Sequence, residues 1–195
     1  MNILFLGLNT IGKGTYWRAY HLAQALVRRG HTLTLVATAR KERFHLTVAN
    51  TNGVTVVAAP DLFSGSLRSG WDLWNVARRI GWLRKQSYDL VHAFETRPAV
   101  LLPALYEKRF SRLPLVFDWA DWFGRGGSVE ERPNPLVRVV LRPVETFFEE
   151  SFRLTAERTT VICTELRRKA EALGVPGSTI THLPNGCDTD RLFPM

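Results

Sequence analysis

The chain has 195 residues, 45% of them apolar, and 26 basic against 18 acidic side chains give it a net charge of +8. Those proportions suit one large soluble domain with a sizeable core, and exclude a disordered chain, a collagen-like repeat and a disulfide scaffold. Its two cysteines, Cys163 and Cys187, are too few for a metal cluster and read as reduced thiols, so no metal is expected and the cytoplasm is the expected compartment.

The opening Met1-Asn2-Ile3-Leu4-Phe5 has neither a basic stretch nor a cleavage pattern, and residues 2–8 read as a buried strand rather than a leader. A glycine-rich turn, Gly12-Lys13-Gly14, leads into a helix over 16–29, with Tyr20, Ala23, Leu26 and Val27 at helical spacing and Gly30 as the stop. Residues 32–38 form a second strand; 54–59, entered through Asn52-Gly53 and ended by Pro60, form a third. A basic helical stretch follows over 71–85, with Leu73, Val76, Ala77, Ile80 and Leu83 as its apolar stripe. Strand 90–94, helix 99–110 and strand 115–118 come next. Residues 133–158 carry a long helical pattern that Pro143 is expected to kink or divide. Strand 160–163, helix 165–173 and strand 179–183 complete the alternation. The longest apolar runs are too short to cross a bilayer.

About seven strands with helices between them indicate an α/β fold, a doubly wound and mainly parallel sheet. Ligands gather at the carboxyl ends of such strands, which selects residues 9–15, 95–97, 118–123 and 184–188. The first group holds Gly12, Lys13, Gly14 and Thr15. It approaches a phosphate-cradling P-loop, but Gly14 stands where the Mg²⁺-binding hydroxyl belongs and Thr15 comes one position late. What remains is a backbone that a polar or anionic ligand can approach closely, ahead of a helix N-terminus. In the second group, His92 reads as a core histidine, while Glu95 and Arg97 emerge at the strand end as site candidates or as a surface salt bridge. In the third, Asp118, Trp119 and Asp121 suit sugar recognition, the acids for hydroxyls and the indole for ring C–H faces, although Asp121 reads equally as a helix cap.

Charge is uneven: residues 1–112 carry a net +10 and residues 113–195 a net −2. A basic half points to an anionic partner or to solubility charge. Trp71, Trp74, Arg78, Arg79, Trp82 and Lys85 have the composition of an interfacial helix, and the alternative is an amphipathic helix covering the sheet. Basic residues are not interleaved with aromatics as on a nucleic-acid platform, so no nucleic-acid partner is expected.

Taken in order, several stretches resemble the N-terminal half of a GT-B glycosyltransferase. They are residues 2–8 with Gly12-Lys13-Gly14, residues 26–35, Tyr88-Asp89-Leu90-Val91-His92-Ala93, Thr160-Val161-Ile162-Cys163-Thr164-Glu165-Leu166, and Pro184-Asn185-Gly186-Cys187-Asp188 running into Leu192-Phe193-Pro194. The likeness is to the large retaining family that includes phosphatidylinositol mannosyltransferases, lipopolysaccharide glucosyltransferases and sucrose synthases.

That resemblance implies that residues 1–195 are one Rossmann-like, acceptor-binding domain, inactive alone, with Asn185-Gly186 near the crossing into a second half that binds a nucleotide-sugar. The nucleotide-sugar would be a co-substrate, with no cofactor needed. It also implies that the Gly12–Thr15 loop faces the interdomain cleft and that Phe94, where many relatives have histidine, lies near the reacting sugar. Glu95, Asp118 and Asp121 then become the polar groups expected to compensate. Acceptors in such families are often lipid-linked, which implies peripheral contact with the inner face of a membrane through residues 71–85, and through 132–152 with Arg138 and Arg142. Two alternatives stand beside this reading: a P-loop-like nucleotide hydrolase using Lys13 and Asp118, and a non-catalytic basic membrane-binding module.

Overall fold

The computed structural model describes residues 1–63 and 70–186. Cys187, Asp188 and Leu192-Phe193-Pro194 of the resemblance therefore lie outside the described residues. The elements run β1 (Asn2–Thr10), α1 (Tyr16–Val27), β2 (Thr32–Thr38), β3 (Thr47–Thr51), β4 (Val54–Ala59), α2 (Leu73–Leu83), β5 (Leu90–Phe94), α3 (Pro98–Tyr106), β6 (Leu115–Trp119), α4 (Pro135–Glu150), β7 (Arg158–Val161), α5 (Thr164–Ala172) and β8 (Ile180–His182).

They build one eight-stranded sheet in the order β3-β4-β2-β1-β5-β6-β7-β8, in which every pairing is parallel except β3 with β4. Chain progression reverses between β1 and β5, so the loops leaving those strands diverge and open a crevice at their carboxyl ends. The strand beyond the expected seven is β3. Its residues are all exposed, so it lacks the apolar alternation that marks a half-buried strand. Asn52 and Gly53, at φ 51° and 81°, form the two-residue turn of a β3–β4 hairpin rather than a plain entry into β4.

Strand alternation divides the core. Leu4, Leu6 and Leu8 of β1 pack with Val36, Val57, Val91, Val100 and Leu101 on the α2–α3 side. Ile3 and Phe5 pack with Ala19, Ala23, Leu33, Leu35 and Val54 on the α1 side. A third cluster joins Trp119, Val161, Leu166, Ala170 and Ile180 beneath α5.

The helical expectations hold in place and shift in detail. The 99–110 helix ends at Tyr106 and widens into a π-type turn over Glu107–Ser111, closed by Arg112 at φ 55°. The long 133–158 pattern is one helix, α4, with Pro143 inside it; a 3-10 turn at Arg153–Thr155 follows. Asn134 caps α4, its side-chain oxygen accepting from the Leu136 and Val137 amides at 2.9 and 3.4 Å.

α2 is rotated relative to expectation. It buries Asn75, Val76, Arg79 and Leu83, and turns Leu73 and Ala77 outward. Arg79, expected at a membrane, is fully buried. Its guanidinium donates to the Gly7 carbonyl at 2.9 Å and to Thr38 Oγ1 at 3.2 Å, and burial pushes its pKa down to about 9. Asn75 Nδ2 donates beside it to the Pro60 carbonyl at 2.8 Å. Polar side chains occupy this interface because they satisfy backbone and hydroxyl oxygens where β1 and β2 lose register between Leu6 and Thr10.

Candidate functional site at the carboxyl edge of the sheet

The loop after β1 is shaped by its glycines. Gly14 sits at φ 53°, and a Cβ there would stand 2.3 Å from Asn9 Nδ2, so a side chain meets both strain and a clash. Asn9 Nδ2 donates to Thr15 Oγ1 at 2.8 Å, and Trp17 Nε1 donates to the Gly12 carbonyl at 3.1 Å. Thr15 makes no side-chain cap for α1, and Lys13 and Gly14 are exposed. The loop therefore offers a helix start and an exposed ammonium at the switch point.

Arg18, one turn into α1, was not singled out from the sequence, yet it organises the neighbouring part of the edge. Its Nε and Nη2 donate to the two oxygens of Asp118, both at 2.8 Å. Nη2 also reaches the Leu183 carbonyl at 2.8 Å, and Nη1 reaches Asn185 Oδ1 at 3.0 Å. Thr160 Oγ1 donates to Asp118 as well. Asp118 is fully buried with both oxygens occupied, so it acts as an anchor joining α1, β6 and β7. The Mg²⁺ role that the hydrolase alternative gives it would require breaking this pair. Asn185 is brought to the same cluster, and it is exposed.

Glu95 follows β5 at φ 73°, an uncommon conformation for a residue with a side chain, and it is 1% exposed. Its Oε1 accepts from the Ala120 and Asp121 amides, both at 2.8 Å, and so shapes the turn after β6. Arg153 lies 3.9 Å from its other oxygen. Burial outweighs this cation and pushes the Glu95 pKa up to about 8. Asp121 is exposed and stands at the mouth of that turn.

Arg97 points away from Glu95 and pairs with Glu145 of α4, with Nε and Nη2 at 3.2 and 3.0 Å from its two oxygens, while its guanidinium stacks 4.2 Å from Phe123. Arg132 joins the same carboxylate at 3.2 Å. Glu149, one turn on, accepts from Trp119 Nε1 at 3.1 Å and from the Phe123 and Gly124 amides at 2.9 and 2.7 Å. Gly124 has no room for a Cβ, which would lie 2.8 Å from the Thr146 backbone.

Two expected ligand contacts are corrected. Trp119 is 0% exposed, covered by Arg153 at 3.9 Å, so its ring is a core element and offers no face to a sugar. Phe94 is 1% exposed, stacked on His92 at 4.6 Å and beside Phe5 at 5.1 Å. His92 is a core residue, its pKa pushed down to about 4 by burial. Nor do the six residues expected at a membrane share an outward face. Trp71 packs edge-on against Phe148, Trp74 donates to the Arg43 carbonyl with Arg78 over its ring, and Trp82 packs on the core, leaving Lys85 exposed. Among the described residues no group of three or more His, Cys, Asp or Glu gathers as metal ligands do, and no helix is long and apolar enough to cross a membrane.

A doubly wound sheet with a glycine loop and buried ion pairs along its carboxyl edge is the Rossmann-like architecture of one half of a GT-B protein. The sequence matches the family described as Glycosyltransferase Family 4 over residues 13–191, and the chain belongs to that family. Among solved structures, sucrose-phosphate synthase from Thermosynechococcus elongatus superposes with a TM-score of 0.64 at 11% identity, over 100% of this chain and 50% of that one. CalG4, the calicheamicin glycosyltransferase, gives 0.54 at 17% identity, over 94% and 52%. UDP-GlcNAc 2-epimerase from Methanocaldococcus jannaschii gives 0.54 at 10% identity, over 93% and 45%. The chain thus spans about half the length of each of these proteins. No curated protein sequence matches it.

Proposed function

We propose that the chain is the acceptor-binding half of a transferase that moves a sugar from a nucleotide-sugar to an acceptor with retention, the donor being held by a second Rossmann-like half. The observation that carries this reading is the family match across residues 13–191, which takes in Lys13, Gly14 and Thr15 of the glycine loop and the ends of β5 and β6. Fold alone does not decide, because the similar structures include an epimerase as well as a glycosyltransferase. The epimerase's name gives a nucleotide-sugar, UDP-GlcNAc, and this supports a nucleotide-sugar as co-substrate.

In this reading the Gly12–Thr15 loop, with Lys13, faces the donor diphosphate and lowers the energy of charge developing on it. Glu95, protonated at neutral pH, and Asp118, ion-paired, are positioning groups. Asp121 and Asn185, both exposed at the edge, meet the acceptor. Acceptor deprotonation falls to the leaving diphosphate, so no buried base is required of this half. The test is a panel of UDP- and GDP-sugars with candidate acceptors, assayed on the full-length protein by nucleoside diphosphate release and by NMR of the product anomer. Acceptor-dependent release with the anomeric configuration kept supports the reading. Mg²⁺-dependent ATP or GTP hydrolysis lost in Lys13→Ala, with no sugar transfer, replaces it with the hydrolase alternative.

A further inference from the structure

The two edges of the sheet are not alike. At one of them β8 is three residues long, and so short an edge offers little backbone to pair with. At the other, β3 pairs with β4 over five residues with no bulge, and it is the outermost strand among the described residues. All five of its residues, Thr47-Val48-Ala49-Asn50-Thr51, are exposed, and they include no charge and no proline. Charges, prolines and bulges are what ordinarily blunt an edge, and β3 has none of them. In an antiparallel strand alternate N–H and C=O groups point away from the partner, so the outer side of β3 is a ladder open to one more strand.

This neutral edge is basic at both ends. The β3–β4 turn lies against the end of α1, where a Cβ on Gly53 would stand 2.8 Å from Val27 Cγ1, and the exposed Arg28 and Arg29 follow directly. Lys41 and Arg43, also exposed, stand in the segment that leads into the opposite end of β3. Between Arg28 and Gly53 the sequence has one acid, Glu42. Its carboxylate is turned onto the chain's own backbone, accepting from the Phe44 and His45 amides at 2.9 and 3.1 Å. Phe44 and Val48, 58% and 54% exposed, add apolar surface along the same segment.

We infer that the outer edge of β3 binds an extended acidic peptide by strand addition, the peptide backbone continuing the sheet and its carboxylates meeting Arg28 or Arg29 at one end and Lys41 or Arg43 at the other. In this mode main-chain hydrogen bonds supply affinity and the flanking side chains select the sequence. A second copy of the chain fits less well. Antiparallel pairing of β3 with itself brings Lys41 and Arg43 of one copy toward Arg28 and Arg29 of the other, and like charges so placed oppose the pairing. The inference does not rest on sugar transfer. Two strands separate β3 from β1, and peptide binding and donor turnover are separate measurements.

The experiment is fluorescence anisotropy of a labelled, end-blocked peptide, with glutamates at both ends and alternating valine and threonine between, titrated with the full-length protein at low salt. Light scattering of the protein alone is run beside it. The acidic peptide binds, and the same peptide with lysines in place of the glutamates binds at least tenfold more weakly. A strand pairs through one of its two edges, so N-methylation of one set of alternate peptide amides weakens binding at least tenfold while methylation of the other set does not. Arg28→Glu/Arg43→Glu, at exposed positions, weakens binding at least tenfold with circular dichroism unchanged. Four results overturn the inference. They are no binding of the acidic peptide, binding indifferent to Arg28→Glu/Arg43→Glu, binding indifferent to both methylated sets, which would make the contact electrostatic without strand pairing, or a dimer that Val48→Glu dissociates without any peptide binding, which would give the edge to a second copy.

Discussion

The two ends of the sheet are held together by different physics. Around β1, β2 and β5 the interior is interdigitated Leu, Val, Phe and Ala, with Arg79 and Asn75 as polar braces. Around α4 and the end of β6 the interior holds the ion pairs Arg97–Glu145 and Lys169–Glu149, with Arg153 at 3.9 Å from the protonated Glu95, laid against the rings of Trp119, Trp122 and Phe123. Apolar packing tolerates local change in proportion to the volume removed. Buried ion pairs lose a great deal when one member goes and little when both go, because the penalty lies in the orphaned charge. The charged end can therefore leave the apolar side of α4 facing outward, since inward burial of that side is not what anchors the helix.

Breaking the charged end gives the largest effect. Glu145→Ala strands Arg97 and Arg132 and lowers unfolding free energy by about 3–5 kcal/mol in chemical denaturation, whereas Arg97→Met/Glu145→Leu recovers most of that loss. At the apolar end, Leu6→Ala costs about 3 kcal/mol, and no second substitution of this kind rescues it.

The pH dependence separates the ends further. In the folded chain Glu95 keeps its proton up to about pH 8, while in the unfolded chain it ionises in the ordinary glutamate range. Between those values the folded state holds the extra proton, so stability falls as pH rises. Glu95→Gln flattens that slope in melting curves taken from pH 5 to 8, and a slope unchanged by the substitution would place the raised pKa elsewhere. The smallest effect is expected at the helix start, where Asn134→Ala removes the one oxygen that accepts from two backbone amides and costs about 1 kcal/mol.

The alternation of strands and helices was legible because the buried strands are short apolar runs and the glycines and prolines stand at their ends. β3 was not, since a fully exposed edge strand has no pattern for burial to impose, and Asn52-Gly53 was the one cue to it. The face of α2 was not legible because the apolar stripe through Leu73 and Ala77 leaves Arg79 outside it, where most charged residues go, and nothing local marks the oxygens that Arg79 satisfies inside. At the site, position was legible and role was not. Glu95, Asp118 and Asp121 could be placed at strand ends from the pattern alone. Arg18, which occupies Asp118, lies 100 residues away in the chain, and no local periodicity reports such a pairing. Glu145 and Glu149 did leave a signal: two acids four residues apart on a helix share one face, and here that face is the buried one.

The central claim is that the glycine loop at the switch point serves a donor held across a cleft. Its most direct test compares acceptor-dependent nucleoside diphosphate release by the full-length wild type and by Gly14→Val, with folding of both confirmed by melting. A fall of at least a hundredfold in the folded variant is the expected result. Turnover equal to that of the wild type would contradict the assignment of this loop to the site.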